Sequence, residues 1–260
     1  MEFKKYKKPV IDKEKLIYGR HPVMDAIKNG MSVDKVILSQ IVKGDYEKEI
    51  RKICKIADIP FQVAPKERLE KITKKNHQGV IAFLSHINYL QIEDVFPMIY
   101  DKGEIPLLVV LDGVTDVKNL GAIARSAEAS GAHALIIPNK KTAQINAETI
   151  KASAGALSTL PVCRTASLGN ALDYLVMNGV QIIAADIKGK SYLHELELTI
   201  PTALVMGAED EGIRPHIIRK ANELFKIPMK GQTDSFNVSV ATGIVLYEVS
   251  KQRMLEDLKG

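Results

Sequence analysis

The hydrophobic pattern divides the chain into two α/β regions. Between residue 16 and about residue 83, short apolar runs alternate with amphipathic segments and predict helices over 22–28 and 46–57 and strands over 35–38, 61–63 and 80–83. From residue 107 onward, strand-like apolar runs recur over 107–110, 134–137, 180–184, 203–206 and 225–227. Strands that alternate with helices in this way are typical of a parallel sheet covered on both faces, as in a doubly wound α/β domain.

The pattern weakens at two places, and these define the predicted domain boundaries. The first fifteen residues are rich in lysine and predict a basic flexible tail over 1–15, with Lys4, Lys5, Lys7, Lys8, Lys13 and Lys15. Residues 85–106 read as a linker with some helix. A smaller α/β domain over 16–84 and a larger domain over 107–260 are therefore expected.

Polar chemistry follows the apolar run 107–110, where the chain becomes helical. Apolar residues then recur at helical spacing and form a buried stripe, Leu120, Ile123, Ala124 and Ala127. Arg125 points away from this stripe, on the side of Gly121 and Ala122, and such small neighbours would let a bulky polyanion approach. Two simpler interpretations remain open, a solvated surface arginine and an Asn119 that only caps the helix.

An acidic loop follows the apolar run 203–206. It begins at Gly207, ends at Gly212 and carries Glu209, Asp210 and Glu211. Loops that bind phosphate offer backbone N–H groups and often a lysine, so three adjacent carboxylates argue against that ligand. The loop better suits a neutral or cationic ligand, or a carboxylate that accepts hydrogen bonds from a reacting group; an ordinary polar turn is the alternative.

The last segment of interest is a loop over 227–237 followed by a long helix that opens at Ser235 and Asn237. The helix carries two apolar stripes, one formed by Val238, Ala241 and Val245 and the other by Val240, Ile244 and Tyr247. The second stripe predicts burial either in the core of a monomer or against a partner subunit.

These three segments, in this order, resemble the signature motifs of the SpoU (TrmH) family of RNA ribose 2′-O-methyltransferases within the SPOUT superfamily. The family's catalytic positions match Asn119 and Arg125 in the first segment, Glu209 in the second, and Ser235 and Asn237 in the third. The N-terminal segments 19–23 and 76–80 are similar to the RNA-binding domain of the branch that methylates a guanosine of 23S rRNA. The chain departs from the family pattern at three places, none of which removes a reacting group: Val117-Lys118 lacks the usual proline, Asp210 replaces a glycine and Phe236 replaces a leucine.

The resemblance implies more than the residues alone predict. It implies that the larger domain is a deep trefoil knot, and that the smaller one is an RNA-binding domain similar to ribosomal protein L30e. It also implies S-adenosyl-L-methionine as the cofactor, bound by Met206, Gly207, Ile227, Met229 and Phe236, and a homodimer formed through the methyltransferase domain.

Composition is compatible with this interpretation. The chain has 260 residues, 46% of them hydrophobic, and it has no apolar run of the roughly 20 residues that a membrane span requires. The only two cysteines, Cys54 and Cys163, favour a reducing, cytoplasmic setting, and the histidines show no metal-ligand spacing. A net charge of +5 and a basic cluster over 66–75 favour a polyanionic partner.

The leading hypothesis is therefore methylation of a 23S rRNA guanosine. The same chemistry on tRNA or on an rRNA adenosine is the first alternative, and a non-catalytic RNA-binding or assembly protein is the second.

Overall fold

The computed structural model describes residues 15–208 and 210–259, and the chain divides into two compact units, the first ending at Ser85 and the second beginning at His86. Each unit has its own sheet and core. Residues 1–14 of the predicted tail over 1–15 and the predicted catalytic residue Glu209 lie outside the described residues.

Over residues 15–85, the first unit is a four-stranded sheet with three helices. Its elements are β1 (Leu16–Tyr18), α1 (Arg20–Lys28), β2 (Val33–Ser39), α2 (Asp45–Ile56), β3 (Phe61–Ala64), α3 (Lys66–Ile72) and β4 (Val80–Leu84). The strand order is β1-β4-β2-β3, with β2 and β3 parallel and β4 antiparallel to both of its neighbours. The side chains of β2 alternate: Val36 and Leu38 pack with α1 and α2 on one face, and Ile37 packs with α3 on the other.

The second unit is an eight-stranded sheet with helices on both faces. Its elements are β5 (Tyr89–Leu90), α4 (Ile92–Asp101), β6 (Leu107–Asp112), α5 (Val117–Ala129), β7 (Ala134–Pro138), α6 (Ala147–Ala152), β8 (Val162–Thr165), α7 (Leu168–Met177), β9 (Gln181–Ala185), β10 (Ser191–Tyr192), β11 (Thr202–Gly207), α8 (Pro215–Ile218), β12 (Glu223–Lys226) and α9 (Val238–Asp257). The order is β10-β12-β9-β11-β6-β7-β8-β5, and every pairing between these strands is parallel.

The central strands are apolar along their whole length because both of their faces are covered. Leu107, Val109 and Leu111 pack in one core with α5 and α9, whereas Leu108 and Val110 pack in the other with α4 and α7. The α/β class with a parallel sheet is therefore confirmed. The trefoil knot and the ribosomal-protein likeness of the first unit stay predictions of the resemblance.

The segment 85–106 is more structured than its weak pattern suggested. β5 pairs with β8 at the edge of the large sheet, and α4 buries Phe96 in one of the two cores. The second unit therefore begins at His86 rather than at residue 107. A strand of only two residues and Pro97 inside α4 account for the weak periodicity. Among the described residues, no helix is both long and apolar enough to cross a membrane.

Candidate active site

The loops that carry the three segments begin at one edge of the large sheet. β6 ends at Asp112 and β11 at Gly207, and these two residues are paired in register. β12, which leads into the loop over 227–237, is parallel to the same strands. The carboxyl ends of parallel strands form the usual ligand-binding edge of an open α/β sheet. Segments far apart in sequence therefore start from the same edge of the sheet.

The acidic loop folds back tightly onto the end of β11. The N–H of Ala208 donates to the carbonyl of Asp112 at 3.0 Å, and the N–H of Gly212 donates to the carbonyl of Ala208 at 2.9 Å. A Cβ atom on Gly207 would lie 2.4 Å from the carbonyl carbon of Gly212, so only glycine fits at this position. Asp210 and Glu211 are exposed on the turn.

A partly buried ion pair fixes the chain beyond this turn. The Asp112 carboxylate, 1% exposed, accepts the backbone N–H of Arg214 at 2.8 Å and its Nε–H at 2.7 Å, and Nη2 of Arg214 lies 2.6 Å away. A buried carboxylate is costly unless it is paired and hydrogen-bonded. Neither residue was predicted to belong to the site, although one carboxylate at the end of a wholly apolar strand signals the need for a partner.

Asn119 and Asn237 connect the entrances of α5 and α9. Asn237 Nδ2 donates to Asn119 Oδ1 at 3.0 Å, and Asn237 Oδ1 caps α9 by accepting the N–H of Ser239 at 2.9 Å. The alternative in which Asn119 caps α5 is wrong, because Asp116 holds that position and accepts the N–H groups of Lys118 and Asn119. The side chain of Asn119 is therefore available for the contact with α9.

Arg125 lies exposed on α5, and the four residues of the predicted stripe are fully buried. Gly121, however, does not leave room for a polyanion. A Cβ atom there would lie 2.5 Å from Cβ of Ala152 and 2.8 Å from the carbonyl oxygen of Thr149, so Gly121 is small because α6 packs directly against it.

Comparison with known proteins assigns this arrangement to a family. Residues 106–247 match the family model for the SpoU rRNA methylase family, and residues 16–90 match the model for RNA 2′-O ribose methyltransferase substrate binding. The chain belongs to the SpoU rRNA methylase family. The resemblance inferred from the motifs is confirmed.

Several SpoU relatives match along nearly the whole chain. The 23S rRNA (guanosine-2′-O-)-methyltransferase RlmB of Yersinia pestis is 36% identical over 245 residues, which cover 93% of this chain and 98% of the relative. YacO of Bacillus subtilis, 31% identical over 91% of this chain and 95% of its own, carries only the general name of a TrmH family tRNA/rRNA methyltransferase. The crystal structure of an AdoMet-bound rRNA methyltransferase from Sinorhizobium meliloti has a TM-score of 0.59 and 25% identity, covering 93% of this chain and 89% of that one.

The other predicted positions of this SpoU protein differ in accessibility. The side chain of Met206 is buried in the core, so only its backbone is close to the edge. Gly207 and Ile227 are half-buried, and Ile227 packs partly against the core. Met229 and Phe236 are 39% and 40% exposed, and Ser235 is exposed beside them in sequence.

The two cysteines offer no alternative nucleophile. Burial raises the pKa of Cys54 and of Cys163 to about 12, so both side chains are neutral thiols at neutral pH. The predicted catalytic positions carry amide, hydroxyl, carboxylate and guanidinium groups.

Proposed function

We propose that this SpoU protein transfers a methyl group from S-adenosyl-L-methionine to a ribose 2′-hydroxyl of a guanosine in 23S rRNA. The hydrogen bond between Asn119 and Asn237 carries the proposal, because it joins the first and third motifs at the sheet edge where the acidic turn begins. The 36% identity to RlmB of Yersinia pestis supports 23S rRNA as the substrate.

The residues at this edge fit the proposed cofactor. S-adenosyl-L-methionine supplies an electrophilic methyl group on a positively charged sulfur. A cationic ligand suits a turn that carries the exposed carboxylates of Asp210 and Glu211, where a phosphate would be repelled. Partly exposed Ile227, Met229 and Phe236 offer the apolar contacts that an adenine ring requires.

The chain's own residues must orient the ribose and manage its proton. A guanidinium stays protonated in proteins, so Arg125 is not the base; it binds a substrate phosphate or stabilises the developing alkoxide. The proton leaves to a phosphate oxygen, to water or to Glu209. Asn119, Ser235 and Asn237 position the ribose and its flanking phosphate by hydrogen bonds, with the amide pair fixing the orientation of the two asparagines.

Arg125→Lys tests this division of roles. The variant keeps the charge but loses the planar fork that grips two oxygens, so turnover should fall by at least about tenfold while the affinity for S-adenosyl-L-methionine stays unchanged. Arg51→Lys, which alters an exposed ion pair with Glu47 in the first unit, is the matched control. Normal turnover of Arg125→Lys would refute the bidentate role.

The first unit contains a basic groove that supports RNA as the partner. The groove has a volume of about 910 Å³ and is lined by residues of 19–23 and 76–80, the two segments on which the N-terminal resemblance rests. A hydrogen bond joins these segments, because Gln78 Oε1 accepts the N–H of Arg20 at 3.0 Å. Among the described residues, the charged side chains that line it include Arg20, Lys66, Lys74 and Lys75, and the single carboxylate is Glu70, which Lys66 already binds. Such a groove suits a sugar-phosphate backbone.

The choice of RNA is tested directly by methyl transfer from labelled S-adenosyl-L-methionine to unmodified 23S rRNA, 16S rRNA and bulk tRNA, followed by mapping of the 2′-O-methyl position. A single 23S guanosine is expected. Methylation of tRNA or of an adenosine would keep the mechanism and overturn the substrate.

We also propose that a second copy of the chain covers α9. Val240 and Tyr247 are 51% and 68% exposed, although both belong to an apolar stripe, whereas Ile244 packs partly against the core. Tyr247→Asp should convert a dimer into a monomer in analytical ultracentrifugation. A monomeric parent protein would contradict the dimer. A cytoplasmic location is part of the same proposal, because rRNA is the substrate and both buried cysteines are free.

A further inference from the structure

An aromatic pair lies at the far end of the sheet edge that carries the candidate site. Tyr192 ends β10, and His194 lies in the short 3-10 turn that follows. The two rings are nearly parallel, with 12° between their planes and 5.7 Å between their centroids. Leu193 between them is buried and anchors the turn, whereas both rings remain exposed. The turn therefore presents a stacked pair to solvent instead of packing it into the core.

One lysine contacts this pair, and two more precede it in sequence. Nζ of Lys226 lies 4.6 Å from the centre of the Tyr192 ring, and the exposed Lys188 and Lys190 lie on the loop that leads into β10. Within the described part of the chain, these three lysines form no ion pair. The two nearest carboxylates in sequence accept local N–H groups, Asp186 from Lys188 and Glu195 from Tyr192.

Sheet register relates the pair to the candidate site. Tyr192 is paired with Lys226, Phe225 with Ala185, and Ala184 with Val205, so Tyr192 lies level with Gly207 along the strand direction. The order β10-β12-β9-β11 separates the two residues by three strand spacings, or roughly 14 Å. An RNA strand whose target ribose is at the acidic turn spans this distance within a few nucleotides.

We propose that Tyr192, His194 and the three lysines form a stacking platform for a nucleobase of the single-stranded RNA that flanks the methylated nucleotide. The outer face of His194 stacks on the base, and Lys188, Lys190 and Lys226 contact the adjoining phosphates. A base stacked on an aromatic ring gains affinity whatever its identity, so the platform orients the substrate without reading its sequence. This inference rests on the proposed function, since it deepens the account of how the same RNA is held.

Site-specific crosslinking tests the platform in the full-length protein. A 5-iodouridine-containing oligouridine is irradiated with the protein, and the crosslinked peptide is identified by mass spectrometry. A crosslink to Tyr192 or His194 is expected. Crosslinks confined to the basic groove of the first unit would overturn the proposal.

Binding of a fluorescent oligouridine to variants gives the second readout. His194→Ala should weaken binding by about five- to tenfold, and His194→Phe should restore it because a ring is again available for stacking. Tyr100→Leu, which removes an exposed ring on α4, is the matched control and should bind normally. Lys226→Gln should also reduce the dependence of affinity on salt concentration by about one unit of slope. Unchanged binding by His194→Ala would overturn the platform.

These measurements separate the platform from the proposed function. If the wild-type protein methylates no RNA, the proposed function fails, while crosslinking and oligouridine binding still judge the platform. If methylation proceeds with an unchanged KM for RNA in His194→Ala and no crosslink forms, only the platform fails.

Discussion

The ion pair between Asp112 and Arg214 should contribute more to the free energy of unfolding than any surface ion pair in the second unit. Arg214→Met keeps most of the aliphatic side chain but leaves the Asp112 carboxylate, 1% exposed, without its cation. Breaking a fully buried pair costs about 3–5 kcal/mol. The side chain of Arg214 is 36% exposed and its backbone N–H still binds the carboxylate, so the expected loss is about 2–3 kcal/mol.

A double-mutant cycle distinguishes this pair from two independent contributions. Urea unfolding followed by circular dichroism would be measured for Arg214→Met, Asp112→Asn and the double variant. Asp112→Asn removes the charge that Arg214 neutralises. The double variant should therefore lose at least about 1 kcal/mol less free energy of unfolding than the two single variants lose together. Lys220→Met, which breaks the more exposed pair with Asp173, is the control and should lose less than about 1 kcal/mol.

The same cycle has a functional readout. The carboxylate of Asp112 binds the backbone N–H of Arg214, and the backbone carbonyl of Asp112 accepts the N–H of Ala208 at the start of the acidic turn. Breaking the ion pair should therefore loosen the loop around Gly207. Affinity for S-adenosyl-L-methionine, measured by calorimetry, should fall in Arg214→Met and remain unchanged in Lys220→Met. Strictly additive single effects, with normal cofactor affinity, would refute the coupling of the ion pair to the turn.

Three further predictions follow from close packing, hydrogen bonding and burial. Gly207→Ala should lower cofactor affinity at least about tenfold in calorimetry, because its Cβ would lie 2.4 Å from the carbonyl carbon of Gly212 and force the turn to move. Arg253→Met should destabilise the second unit by about 1–3 kcal/mol in urea unfolding, because the guanidinium donates to four backbone carbonyls at 2.8–3.2 Å. Burial raises the pKa of Cys54 and Cys163 from 9.0 to about 12, so the contribution of the two neutral thiols to stability is complete below pH 9 and is lost between pH 9 and pH 12. In urea unfolding, a variant with both cysteines changed to alanine should therefore lose less stability over that range than the wild type does.

The sequence predicted those parts of the fold that depend on local patterns. Periodicity placed the buried stripe of α5 correctly, since Leu120, Ile123 and Ala124 are fully buried. It also predicted the central strands, because a strand covered on both faces must be apolar at every position and so leaves an uninterrupted signal. The short β5 and the proline-containing α4 left no such signal, and their place in the large sheet and core depends on contacts with distant residues.

Motif resemblance selected the candidate residues but could not predict their contacts. Motif resemblance selected Asn119 and Asn237, yet their hydrogen bond spans 118 positions in sequence and depends on which residue caps α5. The pair between Asp112 and Arg214 spans 102 positions and was missed altogether. Gly121 was expected to leave room for a polyanion, but α6 packs against it. A glycine indicates that another group comes close to the backbone, and it does not indicate which group that is.

Helix capping explains how two of the catalytic candidates come to face each other. Asp116 satisfies the first N–H groups of α5, which leaves the amide of Asn119 free of that task. Asn237 uses its oxygen to cap α9 and its nitrogen to reach Asn119, so one side chain both begins a helix and aligns it with another. Replacing Asn119 by leucine would leave the Asn237 cap in place but remove the oxygen that the amide nitrogen of Asn237 contacts. The two roles are therefore separable: such a variant should keep α9 and lose the alignment, and with it the methyl transfer.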